Sequence, residues 1–294
     1  MSTILLRRYR LGKTSCNAIA NFSEHDVEVV RNDLMTRGNS AADILIRWGC
    51  SSDYPRNSGC VTVNQSEAMH ITNNKLDFRL LLRKNNISIP ETFAYNETIP
   101  TSIFPAVVRP TYHSQGRKLD LVNNMGELRN CKVVRKNPNR YYVSNFIKKD
   151  REVRVYCMSG RVVAMAEKKT NNPNAIAWNR ATGNSIFYNM RWETWHMPSA
   201  IEGLKAFNLS GLDFGGVDVM IKGNDVYVLE INAAPSLTSS YRQTCFSRGF
   251  DYLVKYCKDN HKVPNFPFPE RTKNYRDIIH PYLLENRAGE PATT

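Results

Sequence analysis

A chain of 294 residues is long enough for two or three compact units, and its 41% hydrophobic and 10% aromatic content excludes extensive disorder. Its 40 Lys and Arg against 27 Asp and Glu give a formal charge of +13, a field that attracts phosphates, an acidic polypeptide or a nucleic acid without choosing among them. Seven scattered cysteines with no CxxC pair argue against a structural zinc site or a disulfide framework. No signal peptide and no apolar run of about 18 residues stand in the sequence, so a cytoplasmic protein with no membrane partner is expected.

In chain order, Thr3 to Arg8 and Asp43 to Trp48 read as strands on either side of a helix near Gly12 to Phe22, an α/β pattern assigned to a small lobe over residues 1–70. Lys75 to Asn85 spaces Leu76, Arg79, Leu80 and Arg83 along a helix that ends before Pro90. PAVVRP then predicts a strand, and TYHSQGRKLDLV a polar loop leading into another, an arrangement that can lie over a ligand. Tyr141 to Ile147 is β-rich, and Glu152 to Met158 pairs with Arg161 to Glu167 as a hairpin turned by Ser159 and Gly160. A helix over Pro198 to Asn208 precedes the strands FGGVDVMI and VYVLEIN around KGND, and a further helix lies near Arg242 to Lys258. Residues 71–260 form the main domain, and 261–294 a tail whose Pro264, Pro267, Pro269 and Pro281 predict a surface wrap or partial disorder.

Chemistry concentrates in the last strand pair. Glu230 and Asn232, two apart on a strand, share a face. Asp218 joins that face, opposite Glu230, if the turn holds an odd number of residues, such as three with Gly223; a two-residue turn puts it on the other side. A few hard oxygen donors are how magnesium, or manganese in its place, is held when nucleotide phosphates complete its coordination. The six histidines show neither HxH nor HExxH spacing, and GxGxxG and Walker lysine motifs are absent, which counts against zinc, dinucleotide and P-loop chemistry.

FGGVDVMIKGNDVYVLEINAAPSLT resembles the last block of ATP-grasp enzymes, and EVRVYCMSGRVVAMAEKK resembles their hairpin block in the branch that includes ribosomal-protein S6 glutamate ligases. FPAVVRP and NKLDFRLLLRKNNISIPET resemble the phosphate-binding strand and the lysine-bearing helix before it, so the blocks run in family order from Lys75 to Thr238. The resemblance implies an α/β (α+β) ATP-grasp fold, two β-rich lobes clasping ATP with a small N-terminal α/β lobe. It implies a carboxylate–amine ligase that works through an acyl phosphate, and the charge of +13 adds the expectation that an amino acid is joined to an acidic or macromolecular acceptor.

By the same resemblance Lys75, Arg109 and Lys168 would meet the phosphates, Glu152 the ribose, and the backbone of Asn145, Phe146 and Ile147 the adenine. Asp218, Glu230 and Asn232 would hold the metal. His113, Ser114, Gly116 and Arg117 would form the phosphate-covering loop, Asn179 and Arg180 would orient the acceptor, and Arg154 or Arg180 would stabilise the oxyanion. Arg109 departs from the usual lysine, Gly116 is the loop's lone glycine, and Gly216 stands where the D-alanine ligase branch has an arginine, which counts against that substrate. Two alternatives are carried: a kinase on the same fold, and a basic nucleic-acid-binding protein on a non-catalytic ATP-grasp scaffold.

Overall fold

Three sheets organise the chain in a computed structural model that describes residues 3–32, 42–52, 59–113, 119–131, 137–172, 175–178 and 185–285. The first contains β1 (Ile4–Arg8), β2 (Val27–Arg31), β3 (Ile44–Trp48) and β4 (Val61–Val63), all parallel in the order β2-β1-β3-β4. Parallel strands are covered on both faces, and the unbroken runs of β1 and β3 fit that: Ile4, Leu5, Leu6, Ile44, Leu45 and Ile46 are all buried. Helix α1 (Lys13–Phe22) follows β1.

Helices α2 (Ser66–Asn73) and α3 (Lys75–Lys84) lead to the second sheet. It is antiparallel in the order β5-β8-β6-β7, built from β5 (Thr92–Ala94), β6 (Ala106–Pro110), β7 (Asp120–Val122) and β8 (Tyr141–Asn145). With α4 (Met125–Asn130) it encloses its own apolar cluster, Ile103, Ala106, Val108, Val122, Leu128 and Val143.

The largest sheet is antiparallel, β11-β10-β9-β12-β13, with β9 (Arg151–Met158), β10 (Arg161–Lys169), β11 (Ile186–Asn189), β12 (Phe214–Lys222) and β13 (Asp225–Asn232). Helix α5 (Met197–Ser210) lies against one face, where a Cβ on Gly203 would come within 2.9 Å of Val155. Glu152, Arg154 and Tyr156 alternate with Val153 and Val155, so they project from the other face. The β9–β10 hairpin turns through Ser159 (φ 51°) and Gly160 (φ 77°), two left-handed residues as a type I′ turn requires.

Helix α6 (Ser240–Asn260) precedes the expected tail, whose residues 261–277 are mostly exposed or half-buried and whose next few residues are anchored in the core. The Val162 N–H donates to the Ile278 carbonyl and the His280 N–H to the Val162 carbonyl, both at 2.9 Å. Ile278, Ile279 and Leu283, the last in α7 (Pro281–Glu285), are buried.

The parallel sheet is stitched to the large one by buried polar groups. The Asn64 N–H donates to Asp213 Oδ2 at 2.6 Å, while Asn64 Oδ1 accepts from the N–H groups of Asp213 at 2.8 Å and Phe214 at 3.2 Å. Ser15 Oγ accepts from the Leu237 N–H at 3.0 Å, and a Cβ on Gly49 (φ 73°) would lie 2.8 Å from that of Ala234.

Burial raises the Asp213 carboxyl to about 6, against the lowering effect of the Asn64 N–H. The folded state therefore holds its proton more tightly than the unfolded chain, a stabilisation fully present below the ordinary carboxylate range and lost as pH rises through about 6. Asp213→Asn, which cannot ionise, is expected to gain stability relative to the parent by up to about 3 kcal/mol between roughly pH 4 and pH 8 in urea titrations. A difference that does not change with pH would show that Asp213 titrates normally.

Candidate active site

β12 and β13 are joined by two residues, Gly223 and Asn224, the case in which simple alternation would put Asp218 and Glu230 on opposite faces. The pairing runs from Lys222 opposite Asp225 to Val219 opposite Val228, then shifts by one, so that Asp218 stands opposite Glu230 and Gly216 opposite Asn232. A β-bulge at Leu229 thus supplies the displacement expected of an odd turn. The bulge has a second effect, because the Leu229 carbonyl accepts from Arg79 Nε at 3.2 Å.

A row of alternating charges crosses β9, β10 and β12. Arg154 Nε donates to Asp218 Oδ1 at 2.6 Å and its Nη2 to Oδ2 at 2.8 Å, a bidentate fork. Lys168 bonds to Glu152 and stands 3.6 Å from Asp218 Oδ2, and Lys149 bonds to the second oxygen of Glu152. Burial alone would raise the Asp218 carboxyl, but Arg154 and Lys168 outweigh it and hold the group well below the usual carboxylate range. Burial likewise works to discharge Arg154 and Lys168, and Asp218 reverses it. Phe187 of β11 covers the row, its ring centroid 4.9 Å from the Arg154 guanidinium and 5.3 Å from the Lys168 ammonium.

This face opens into a cavity of about 580 Å³ that reaches from Tyr9, Gly12 and Trp48 to the β8 segment. Of the residues expected at a site, Arg109, Asn145, Phe146, Ile147, Glu152, Arg154, Lys168, Asp218, Glu230 and Asn232 line it together. Ser114, Gly116, Arg117, Asn179 and Arg180 lie outside the described residues. Arg109 points into the cavity with a buried Nε that has no partner among the described residues.

Two expected residues stand behind the wall. Lys75 is buried and donates to the carbonyls of Thr72 at 3.0 Å and Ile231 at 2.9 Å, the latter between Glu230 and Asn232. Burial lowers its ammonium, with Glu230 acting in the opposite sense. His113 sits between Arg109 Nη2 at 2.8 Å from Nδ1 and the Tyr142 hydroxyl at 3.0 Å from Nε2. Burial, reinforced by Arg109, Lys75 and Arg79, pushes its imidazole down to about 2, so it is neutral and accepts from Arg109. Of the two lysines that end β10, Lys168 is buried and Lys169 exposed, as strand alternation requires.

Sequence reasoning missed Arg79. In the sequence it is one spaced residue of a helix with no role assigned, yet it is buried, lines the cavity, and donates through Nη1 to Ser144 Oγ at 2.8 Å and Thr92 Oγ1 at 3.2 Å. Its spacing from Leu76 and Leu82 on α3 was the available signal.

Residues 72–247 match the RimK-like ATP-grasp domain. The chain is 25% identical over 220 residues to a coenzyme gamma-F420-2:alpha-L-glutamate ligase of Methanocaldococcus jannaschii, covering 68% of this chain and 72% of that protein. It is 26% identical over 190 residues to a tetrahydromethanopterin:alpha-L-glutamate ligase of the same organism, covering 59% of this chain and 62% of that one. A probable alpha-L-glutamate ligase of Shewanella halifaxensis is 26% identical over 204 residues, 65% of this chain but only 43% of its own length. In fold the chain is similar to a D-alanine–D-alanine ligase from Bacillus anthracis, with a TM-score of 0.63 at 16% identity over 88% of this chain and 97% of that one. It is also similar to the ATP-grasp ligase PsnB in complex with a minimal precursor, with a TM-score of 0.60 at 12% identity over 81% and 92%.

Fold, site and relatives define an ATP-dependent carboxylate–amine ligase that forms ADP. Within that class the chain belongs to the RimK-like ATP-grasp domain family.

Removing one member of a buried ion pair strands the other, at a typical cost of about 3–5 kcal/mol. Arg154→Met should lower unfolding stability by that order in urea titrations, and Arg154→Met with Asp218→Asn should recover a large part of the loss. Equal losses in the single and double variants would mean that the fork contributes packing only.

Proposed function

We propose that the chain activates a carboxylate with ATP as an acyl phosphate and transfers the acyl group to the amino group of an amino acid of the glutamate kind. The observation that carries this reading is the convergence of Arg109, Lys168, Glu230 and Asn232 on one cavity with the Asn145–Ile147 segment at its edge. Among the described residues five cationic side chains, Arg79, Arg109, Lys149, Arg154 and Lys168, line that cavity against three carboxylates, Glu152, Asp218 and Glu230. The surplus suits an anionic ligand, and the unpartnered Arg109 Nε suits a phosphate oxygen. The alpha-L-glutamate ligase relatives support the choice of amino acid.

Glu230 and Asn232 present a carboxylate and an amide oxygen side by side, with Asp218 opposite. Among the described residues no three His, Cys, Asp or Glu side chains form a complete metal cage. An incomplete oxygen set is what magnesium or manganese takes when phosphate oxygens fill the remaining positions, and such a cation would neutralise phosphate charge. Asp218 would serve as third donor, although both its oxygens already accept from Arg154. Lys75, bonded to the Ile231 carbonyl, holds the backbone of the donor pair in place.

In the proposed reaction the substrate carboxylate attacks the γ-phosphorus and ADP departs with the bridging electrons. The amine then attacks the acyl carbon, inorganic phosphate leaves, and the amine loses a proton. Arg109 and Lys168 would bind phosphoryl oxygens, and Arg154 would meet the oxyanion of the second step. Adenine would lie at the hinge, where the Asn145 and Phe146 N–H groups already donate to the carbonyls of Glu91 and Pro105, leaving Ile147 as the amide to face the base. Both Glu152 oxygens are held by lysines, so a ribose hydroxyl would share them.

The acceptor carrying the carboxylate is an acidic small molecule or an acidic polypeptide, and the charge of +13 suits either. Scattered cysteines with no CxxC pair suit the reducing cytoplasm as its location, and no helix among the described residues is long and apolar enough to cross a membrane.

Phosphate release from magnesium ATP, with pooled amino acids and acidic acceptors and with acceptor mass followed in parallel, tests the reading. Acceptor-dependent phosphate with the mass gain of an amide is expected, together with a loss of about 100-fold or more in Glu230→Gln. A phosphorylated acceptor without free phosphate would make the protein a kinase, and no ATP binding at all would leave only a basic scaffold.

A further inference from the structure

Between β10 and β11 three apolar residues in succession, Ile176, Ala177 and Trp178, line the cavity. The charge row does not need them. Val107 of β6, Ile147 after β8, Met220 of β12 and Leu229 at the bulge line the same space, so apolar side chains reach it from four other stretches of chain.

Trp178 is fixed at one end of this space. Its ring faces Lys149 Nζ, 4.7 Å from the centroid, and Lys149 is bonded to Glu152 and lies two residues beyond Ile147. The indole therefore stands with the hinge and Glu152. Trp48, Trp192 and Trp195 are 1%, 6% and 5% exposed, whereas Trp178 is only half-buried. A half-covered indole in a cavity wall, with apolar neighbours and a displaceable ammonium on its face, is suited to a flat π-system.

We infer that Trp178 is a nucleoside-binding residue: its ring stacks on the adenosine of ATP, taking the purine or ribose face in place of the Lys149 ammonium, which keeps Glu152 as its partner. The inference rests on the ATP-binding reading above. It moves this stretch, whose next residues Asn179 and Arg180 were expected to orient the acceptor, to the nucleotide side of the cavity.

The test is titration of the purified chain with ADP, without acceptor, followed by tryptophan emission and by calorimetry in the parent, Trp178→Phe and Trp178→Ala. ADP is expected to change the parent's emission, and that change should vanish in Trp178→Phe while calorimetric affinity stays within about threefold, since a phenyl ring still stacks. Trp178→Ala should bind about tenfold more weakly, the scale of one lost base–aromatic stack. An emission change that persists in Trp178→Phe, or parent-like affinity in Trp178→Ala, would overturn the inference and leave ATP binding intact. A parent that binds no ADP by calorimetry would overturn both. Should Trp178→Ala fail to fold by circular dichroism, the Trp178→Phe emission decides alone.

Discussion

The bidentate fork between Arg154 and Asp218 is the constraint around which the large sheet is arranged. Two opposite charges taken out of water are tolerated only with near-ideal geometry and further partners for their remaining donors and acceptors. β9 and β12 are direct neighbours with Arg154 opposite Asp218, so the backbone register fixes the geometry. Lys168 arrives from β10 in register with Glu152, which joins a second carboxylate to the row. Gly216 leaves room for the arginine stem: a Cβ there would lie 3.2 Å from Arg154 Cδ and 3.0 Å from Pro235. The glycine at this position is a packing answer to Arg154 as well as a departure from the D-alanine ligase pattern.

Much of this was legible in the residues. The Ser159-Gly160 turn, the helix over residues 75–84 and the split between buried Lys168 and exposed Lys169 follow from local rules of turn chemistry and periodicity. The side of the sheet on which Asp218 falls was not, because it depends on a bulge between Val219 and Asp218, and nothing in VYVLEIN marks Leu229 as the extra residue. The partners of Arg79 and Lys75 could not be read from their own segment. Their surroundings come from segments far away in sequence, and a cation that donates to distant carbonyls or hydroxyls looks, in its own segment, like a solvated side chain.

The two smaller sheets are attached differently. The parallel sheet shares the main apolar cluster, with Ile4, Leu6, Ile44 and Ile46 in it, and is bonded through Asn64 to the start of β12. The β5–β8 sheet keeps a separate cluster and meets the rest through polar side chains, chiefly Arg79, which reaches Thr92 and Ser144 on one side and Leu229 on the other. A lobe held by directional bonds over a separate core can shift with less apolar exposure than one fused into the main core. The side of the cavity formed by β6 and β8 thus has the less firmly attached wall.

The bulge at Leu229 also bears on how such a hairpin can drift in sequence. The two-residue turn and the single extra residue together decide which side of the sheet Asp218 occupies relative to Glu230. Losing either feature alone would separate the acidic pair across the sheet, while a turn one residue longer combined with a regular strand would restore it. Length changes in this hairpin are therefore acceptable only in compensating pairs, and a relative with a three-residue turn should lack the bulge. Such a relative would also lack the displaced carbonyl that Arg79 uses, and would have to join its two β lobes by another contact.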